Sequence, residues 1–321
     1  MTTPPPSSYA DQRAWQELQR FMPPEYRMTT PEDLPAEEGW DWRGNNVHLE
    51  RYVRPDSPVK VLLHHGVGTN GRQMDLILGR PLAQRGIETV AVDNLGYGLT
   101  KPAHPRGYSY DDWVDLVVDL VEAERRRDDR PIHIYGLSAG GMLAYQVAAR
   151  TQVAGKPVAG VIGLSFLDQR ESVVREETAR FELMGKYGGK AAELTTKLGA
   201  GWWPMRMTIA SKMSALLNEP EALRVALRDK TSAGNTVPTK FLDTYLNYVP
   251  AVEPEDFTAC PVMLAVPGAD RWSPASLSMG FLERITQVPV EVVTLPRGSH
   301  LPVEKPALDT MVDAVEEFVR R

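Results

Sequence analysis

The 321 residues include one cysteine, Cys260. A lone thiol cannot close an intrachain disulfide, and it argues against a cysteine-ligated metal site, as expected for a reducing compartment. Long apolar runs are also missing. No stretch approaches the roughly 20 residues that a membrane-spanning helix needs. The opening Met1-Thr2-Thr3-Pro4-Pro5-Pro6 lacks the basic residues and apolar core of a signal peptide. The expectation is a cytoplasmic protein without an integral membrane segment. Nor is there a positive excess: 36 Lys and Arg face 42 Asp and Glu, for a net charge of −6. That balance excludes a basic footprint for nucleic acid and gives no reason to expect attraction to anionic membranes. The one dense basic run, Arg125 to Arg127, is followed by Asp128 and Asp129 at the end of a predicted helix, and reads as a solvated helix terminus. Beyond the N-terminal prolines there is no internal repeat or low-complexity tract.

What is present is an ordinary globular composition, 42% hydrophobic and 24% charged, long enough for one elaborated domain. Asp11 to Phe21 reads as a short amphipathic helix with Ala14, Trp15, Leu18 and Phe21 on its buried face, an N-terminal appendage. Gly39 to Arg54 reads as a hairpin of two edge strands. Strands at Val59 to His64, Thr89 to Asp93, Ile132 to Tyr135 and Val158 to Ser165 then alternate with helices at Arg72 to Arg85, Tyr110 to Arg126 and Gly140 to Arg150. That alternation predicts a mostly parallel sheet flanked by helices. Strands Val262 to Val266 and Val288 to Leu295, with helices Pro274 to Ile285 and Lys305 to Arg320, resume it after a long interruption. The expected division is 1–38 as an N-terminal extension, 39–167 and 256–321 as an α/β core, and 168–255 as a helical cap broken at Gly188-Gly189, Gly199 to Trp203 and Ser232 to Pro238. Aromatic and methionine side chains of the interruption, among them Trp202, Trp203, Met205, Met207, Met213, Phe241, Tyr245 and Tyr248, either roof an acyl or aromatic pocket or pack the cap onto the core.

The strongest chemical signal is Gly136-Leu137-Ser138-Ala139-Gly140 between a strand and a helix. A bare G-x-S-x-G is weak, but in this setting a sharp turn lifts the serine oxygen above the sheet while small neighbours relieve the crowding. A serine hydroxyl is a poor nucleophile unless a base lies within reach and a third group fixes that base's tautomer. Asp270 follows one predicted strand and His300 follows the next, in the order Ser, Asp, His. His48 and His133 lie within strands and read as structural, His104 as exposed among prolines, and His64 and His65 as floor residues of the site. Asp168, one strand earlier, competes with Asp270 for the acid's role, whereas Asp93 reads as a turn residue. His64-His65-Gly66-Val67-Gly68 supplies small residues at a strand end, so Val67 and Ala139 are the expected backbone donors to an oxyanion.

Together the His65-Gly66 segment, the Asp93 to Thr100 loop, the Ser138 turn, Asp270 and His300 resemble the capped α/β-hydrolases, nearest in pattern to monoacylglycerol lipases, lysophospholipases and esterases. The resemblance covers nearly everything after Gly39. It implies the α/β-hydrolase fold and hydrolysis of a small-molecule acyl substrate through an acyl-serine, with no cofactor and no metal. Asn94 stands where such proteins often carry another residue. A serine at 138 argues against haloalkane dehalogenase and epoxide hydrolase chemistry, which places a carboxylate there. Ester cleavage is the first expectation. A thioesterase, C–C hydrolase, acyltransferase or perhydrolase with the same triad, or a ligand-binding protein without turnover, are the alternatives, and oligomeric state is left open.

Overall fold

The computed structural model describes residues 2, 3 and 7–321, with the backbone alone at 2, 3, 182–184 and 186. Met1 and the prolines at 4–6 lie outside the described residues. Its strands are β1 (Thr2–Thr3), β2 (Ala36–Trp42), β3 (Asn45–Tyr52), β4 (Lys60–His64), β5 (Glu88–Val92), β6 (Ile132–Gly136), β7 (Gly160–Gly163), β8 (Pro204–Arg206), β9 (Thr236–Pro238), β10 (Val262–Pro267) and β11 (Val290–Leu295). Nine of them form one sheet in the order β1-β2-β3-β5-β4-β6-β7-β10-β11, and β8 pairs with β9 separately. From β5 to β11 the pairing is parallel, and β1, β2 and β3 join antiparallel. Strands β4, β5, β6, β7 and β10 are buried along their whole length, which is why they read as apolar runs rather than alternating ones.

The chain leaves β4 for β5 on one side and then crosses to β6 on the other. At that reversal the connections after β4 and β6 diverge and leave a crevice beyond the strands' carboxyl ends, where open α/β sheets bind ligands. His64 and Gly136 lie in register there. The turn with Val67 and the turn with Ser138 therefore emerge side by side.

Several elements depart from the sequence reading. The helix expected over 72–85 consists of Gly71–Met74, a wide π turn over Asp75–Gly79, and Arg80–Gln84. Pro81 has no N–H for the carbonyl one turn back, so a regular ladder cannot run through it. Helix Glu182–Lys197 passes through Gly188-Gly189 without a break. It packs against Ser172–Thr178 and Thr239–Leu246, and that packing outweighs the low helix propensity of two glycines. The hairpin's second strand, β3, is not an edge: it lies between β2 and β5. Its charged residues are buried and neutralised in the interior. Glu50 pairs with Arg72, Arg51 with Glu124 at 2.6 Å, and His48 sits between Glu37 at 2.9 Å and Asp93 at 3.1 Å.

The N-terminal segment is bound into this interior. Helix Arg13–Leu18 buries Trp15 and Leu18, and Phe21 packs at the margin of the core. Tyr9 is buried, its hydroxyl donates to Asp93 Oδ2 at 2.9 Å, and the Arg72 guanidinium lies over the rings of Tyr9 and Trp15 at 4.8 and 4.6 Å. Asp93 in turn accepts from the N–H groups of Gly71 at 2.7 Å and Leu99 at 2.8 Å. Burial works against the charged form of His48, but the two carboxylates outweigh it and raise its pKa from 6.5 to about 10.

Two outcomes follow. Tyr9→Phe removes a hydrogen bond to a buried carboxylate while keeping the ring, and should lower the unfolding free energy by about 1–3 kcal/mol in urea; an unchanged midpoint and slope would refute the anchoring role. Because the His48 pKa is raised on folding, its contribution is complete below the unfolded value of 6.5 and is lost as pH rises through about 10. Nitrogen-15 NMR at pH 8 should find His48 as imidazolium, and a neutral ring there would contradict this placement.

Candidate active site

Strand β6 ends at Gly136 and a helix runs over Ala139–Val153, leaving Leu137 and Ser138 to make the turn. Ser138 adopts φ 55°, ψ −121°, a conformation that costs a non-glycine residue on the order of 1–3 kcal/mol and persists only where the surroundings impose it. They do so through close packing. A Cβ on Gly136 would collide with the Gly140 carbonyl, so strand and helix can meet at this angle only with glycine there. Leu137 N–H donates to the His64 carbonyl at 3.1 Å, fastening the turn to β4.

Beside this turn lies the loop after β4. The Gly66 carbonyl accepts from His65 Nδ1 at 2.8 Å and from Thr69 N–H at 3.3 Å, and the Val67 carbonyl accepts from Tyr97 Oη at 2.7 Å. In a trans peptide the Val67 N–H points opposite to the Gly66 oxygen, so these bonds fix its direction. Ala139 opens its helix, and its N–H is among those with no intrahelical acceptor. Val67 and Ser138 line one cavity. Asn94, a departure from the family pattern, holds this floor: its N–H donates to His65 Nε2 at 3.0 Å, and its side-chain amide lies 2.9 Å from His64 Nε2. The first bond makes Nε2 of His65 the acceptor and Nδ1 the donor. Burial lowers the pKa of both histidines, keeping them neutral.

Asp270 and His300 come from the loops after β10 and β11 and meet at 2.8 Å, Nδ1 to Oδ2. The carboxylate also accepts from Trp272 N–H at 2.7 Å, Ser273 N–H at 3.1 Å and Ser273 Oγ at 2.8 Å. Burial alone would raise its pKa; the charge and hydrogen bond of His300, with these donors, outweigh burial and hold it below the usual carboxylate value. Ser273 Oγ is also 3.2 Å from His300 Nδ1, and the Trp272 ring packs on the imidazole with centroids 4.6 Å apart. His300 Nε2 is buried and has no hydrogen-bond partner among the described residues, Ser138 included. The structure thus joins Asp270 to His300 but does not close a bond from His300 to Ser138. Asp168 is committed elsewhere, to Arg170 at 2.7 Å.

The sequence reading missed the residues that hold these loops. Asn218 N–H donates to Ser299 Oγ at 3.0 Å and its side-chain amide to the Ala269 carbonyl at 3.0 Å, while Leu301 N–H donates to the Leu216 carbonyl at 2.9 Å. One stretch of the inserted segment therefore braces both the Asp270 and the His300 loop. Ser273 could have been inferred, since an aspartate followed two and three residues on by backbone donors is a common side-chain-capped turn; Asn218 had no local signal.

A cavity of about 430 Å³ opens from Ser138 into the inserted segment, lined mainly by apolar side chains including Trp203, Met205, Met207, Leu242, Tyr245 and Trp272. Met213 and Phe241 instead pack in the core, Tyr248 packs against it, and Trp202 is exposed. Glu37, His48 and Glu50 bring potential metal-ligand atoms within 4.8 Å of one another, but Arg72 and protonated His48 already supply the positive charge there.

No curated protein matches the chain in sequence. Solved structures do match in fold. A soluble variant of monoglyceride lipase from Saccharomyces cerevisiae, in complex with a substrate analog, is 16% identical with a TM-score of 0.72 over 92% of this chain and 98% of that one. Est1E from Butyrivibrio proteoclasticus with ferulic acid bound is 15% identical with a TM-score of 0.59 over 87% and 96%. The thioesterase domain from the curacin biosynthetic pathway is 17% identical with a TM-score of 0.53 over 89% and 99%. These likenesses concern the fold, α/β-hydrolase with a mostly parallel sheet flanked by helices. The sequence pattern of the alpha/beta hydrolase family matches residues 61–313, and the chain belongs to that family.

Proposed function

We propose that the protein is a serine hydrolase that cleaves a carboxylic ester through an acyl-serine intermediate, with Ser138 as nucleophile, His300 as general base and Asp270 as the acid that orients it. The observation that carries this reading is the His300 ring, tied through Nδ1 to an ionised Asp270 and left with a buried, unpartnered Nε2. A neutral imidazole that donates from Nδ1 has its lone pair on Nε2, as a general base requires. Hydrogen bonds from base to nucleophile are often long or absent without substrate and tighten in the bound complex.

In the proposed reaction the Ser138 hydroxyl attacks the ester carbonyl as Nε2 accepts its proton. The Val67 and Ala139 N–H groups take the developing oxyanion, and Asp270 stabilises the imidazolium without accepting its proton. The proton passes to the departing alcohol, and water then releases the acid by the reverse sequence. Residues 168–255 would serve as the cap over the core formed by 39–167 and 256–321, and the apolar cavity within the cap suits an acyl chain or an aromatic acid. No helix among the described residues is long and apolar enough to cross a membrane.

The direct test is fluorophosphonate labelling of the folded protein alongside hydrolysis of p-nitrophenyl esters from acetyl to palmitoyl. Wild type should label once, Ser138→Ala should not label, and turnover in the variant should fall on the order of 10⁴-fold or more; a folded wild type that neither labels nor turns over refutes the reading. A preference for matched thioesters over oxygen esters would move the assignment to thioesterase. Ser273→Ala removes one donor to Asp270 and a neighbour of His300 Nδ1. It should lower kcat roughly three- to tenfold with KM unchanged, the size of one lost hydrogen bond felt mainly in the transition state.

A further inference from the structure

The polar groups facing the cavity are nearly all spent. The hydroxyls of Thr178, Thr195, Ser211 and Thr239 donate to backbone carbonyls at 2.7–3.0 Å. The Gln169 amide reaches Tyr245 Oη at 3.3 Å, and Trp272 Nε1 reaches the Thr178 carbonyl at 3.2 Å. Among the described lining residues one side chain carries a formal charge, Arg175. Its Nη1 donates to the carbonyls of Gln169 at 2.7 Å and Arg170 at 2.8 Å, which fixes the plane of the guanidinium. Its Nε–H and Nη2–H groups have no hydrogen-bond partner among the described residues.

Those two groups are the pair that grips a carboxylate side-on through two parallel hydrogen bonds. Arg175 is half-buried at the wall of the cavity, so a purely apolar acyl chain seated beside it would strip water from part of a cation without pairing it. Nothing in turning the chain or bracing the catalytic loops calls for a charge at this place in the cavity, because the two carbonyl bonds use a single nitrogen.

We infer that Arg175 recognises a carboxylate carried by the substrate away from the bond that is cleaved, so that the preferred substrates are monoanionic esters rather than neutral ones. The inference rests on the proposed hydrolase reading and adds the substrate's second functional group. Whether that carboxylate sits on the acyl or the alcohol side of the ester is decided by the two arms of the test.

The test compares kcat/KM for matched pairs. On the acyl side these are p-nitrophenyl half-esters of dicarboxylic acids against p-nitrophenyl esters of monocarboxylic acids of equal chain length, from four to ten carbons. On the alcohol side they are acetates of ω-hydroxy acids against acetates of plain alcohols. The carboxylated member of one series should be favoured about ten- to a hundredfold at one chain length, the worth of a hydrogen bond to a charged group. Arg175→Gln should bring that ratio to one or below, and Arg175→Lys should keep part of it. Because the ratio is taken within each variant, a general loss of activity from a loosened turn cancels. Neutral esters preferred at every length in both series would overturn the inference while fluorophosphonate labelling left the hydrolase reading standing. If labelling itself fails, calorimetry on Ser138→Ala with dicarboxylic against monocarboxylic acids and with ω-hydroxy acids against plain alcohols still decides the role of Arg175: tighter binding of the carboxylated member in either series, lost in the Ser138→Ala, Arg175→Gln double variant, supports it, and equal binding in both series overturns it.

Discussion

The backbone of Ser138 is the constraint on which the rest of this molecule depends. At φ 55° it cannot be held by its own preferences, and every neighbour that imposes it is also part of the site. Gly136 must be glycine so that strand β6 and the following helix can close on one another. The turn is tied to β4 by Leu137. Because β4 and β6 are adjacent at the point where the sheet's strand order reverses, the loop bearing Val67 cannot lie anywhere but beside the serine. Strain, sheet order and candidate oxyanion donors are therefore one arrangement.

A second chain of contacts reaches this arrangement from the opposite end of the sequence. Tyr9, Arg72, His48 and Glu37 converge near Asp93, and the residue after it, Asn94, orients His64 and His65. His65 then holds the Gly66 carbonyl. A buried ion cluster thus continues, through two neutral histidines, into the peptide that presents Val67 N–H. Buried charges of this kind add little net stability, but each strongly penalises any conformation that leaves one unpaired. Through this route the N-terminal segment bears on the site by keeping Asp93 in place.

How much of this was legible in the sequence depends on the range of the interaction. The strands from β4 onward, Ser138 on its turn, and Asp270 and His300 after successive strands could be read because apolar runs, glycines and chain order are local signals. The choice of Asp270 over Asp168 depended on which carboxylate reached the imidazole. That is a matter of loop geometry, and Arg170, two residues from Asp168, engages the competitor. The seating of the N-terminal segment, the interior position of β3 and the bracing by Asn218 were not legible, since each is made by polar side chains whose partners lie tens to hundreds of residues away. The partners of His48, Glu50 and Arg51 become apparent only when Glu37, Arg72 and Glu124 are brought to them. The helix through Gly188-Gly189 was misread for a related reason, because tertiary packing overrode local propensity.

The most direct test of the central claim is a rapid-quench experiment with a p-nitrophenyl ester, read by intact mass and peptide mapping within the first turnover. The proposed chemistry predicts a burst of p-nitrophenol and a matching acyl adduct on the peptide that contains Ser138, absent in Ser138→Ala. Product formed with no adduct, or an adduct that maps to another residue and survives the substitution, would contradict it.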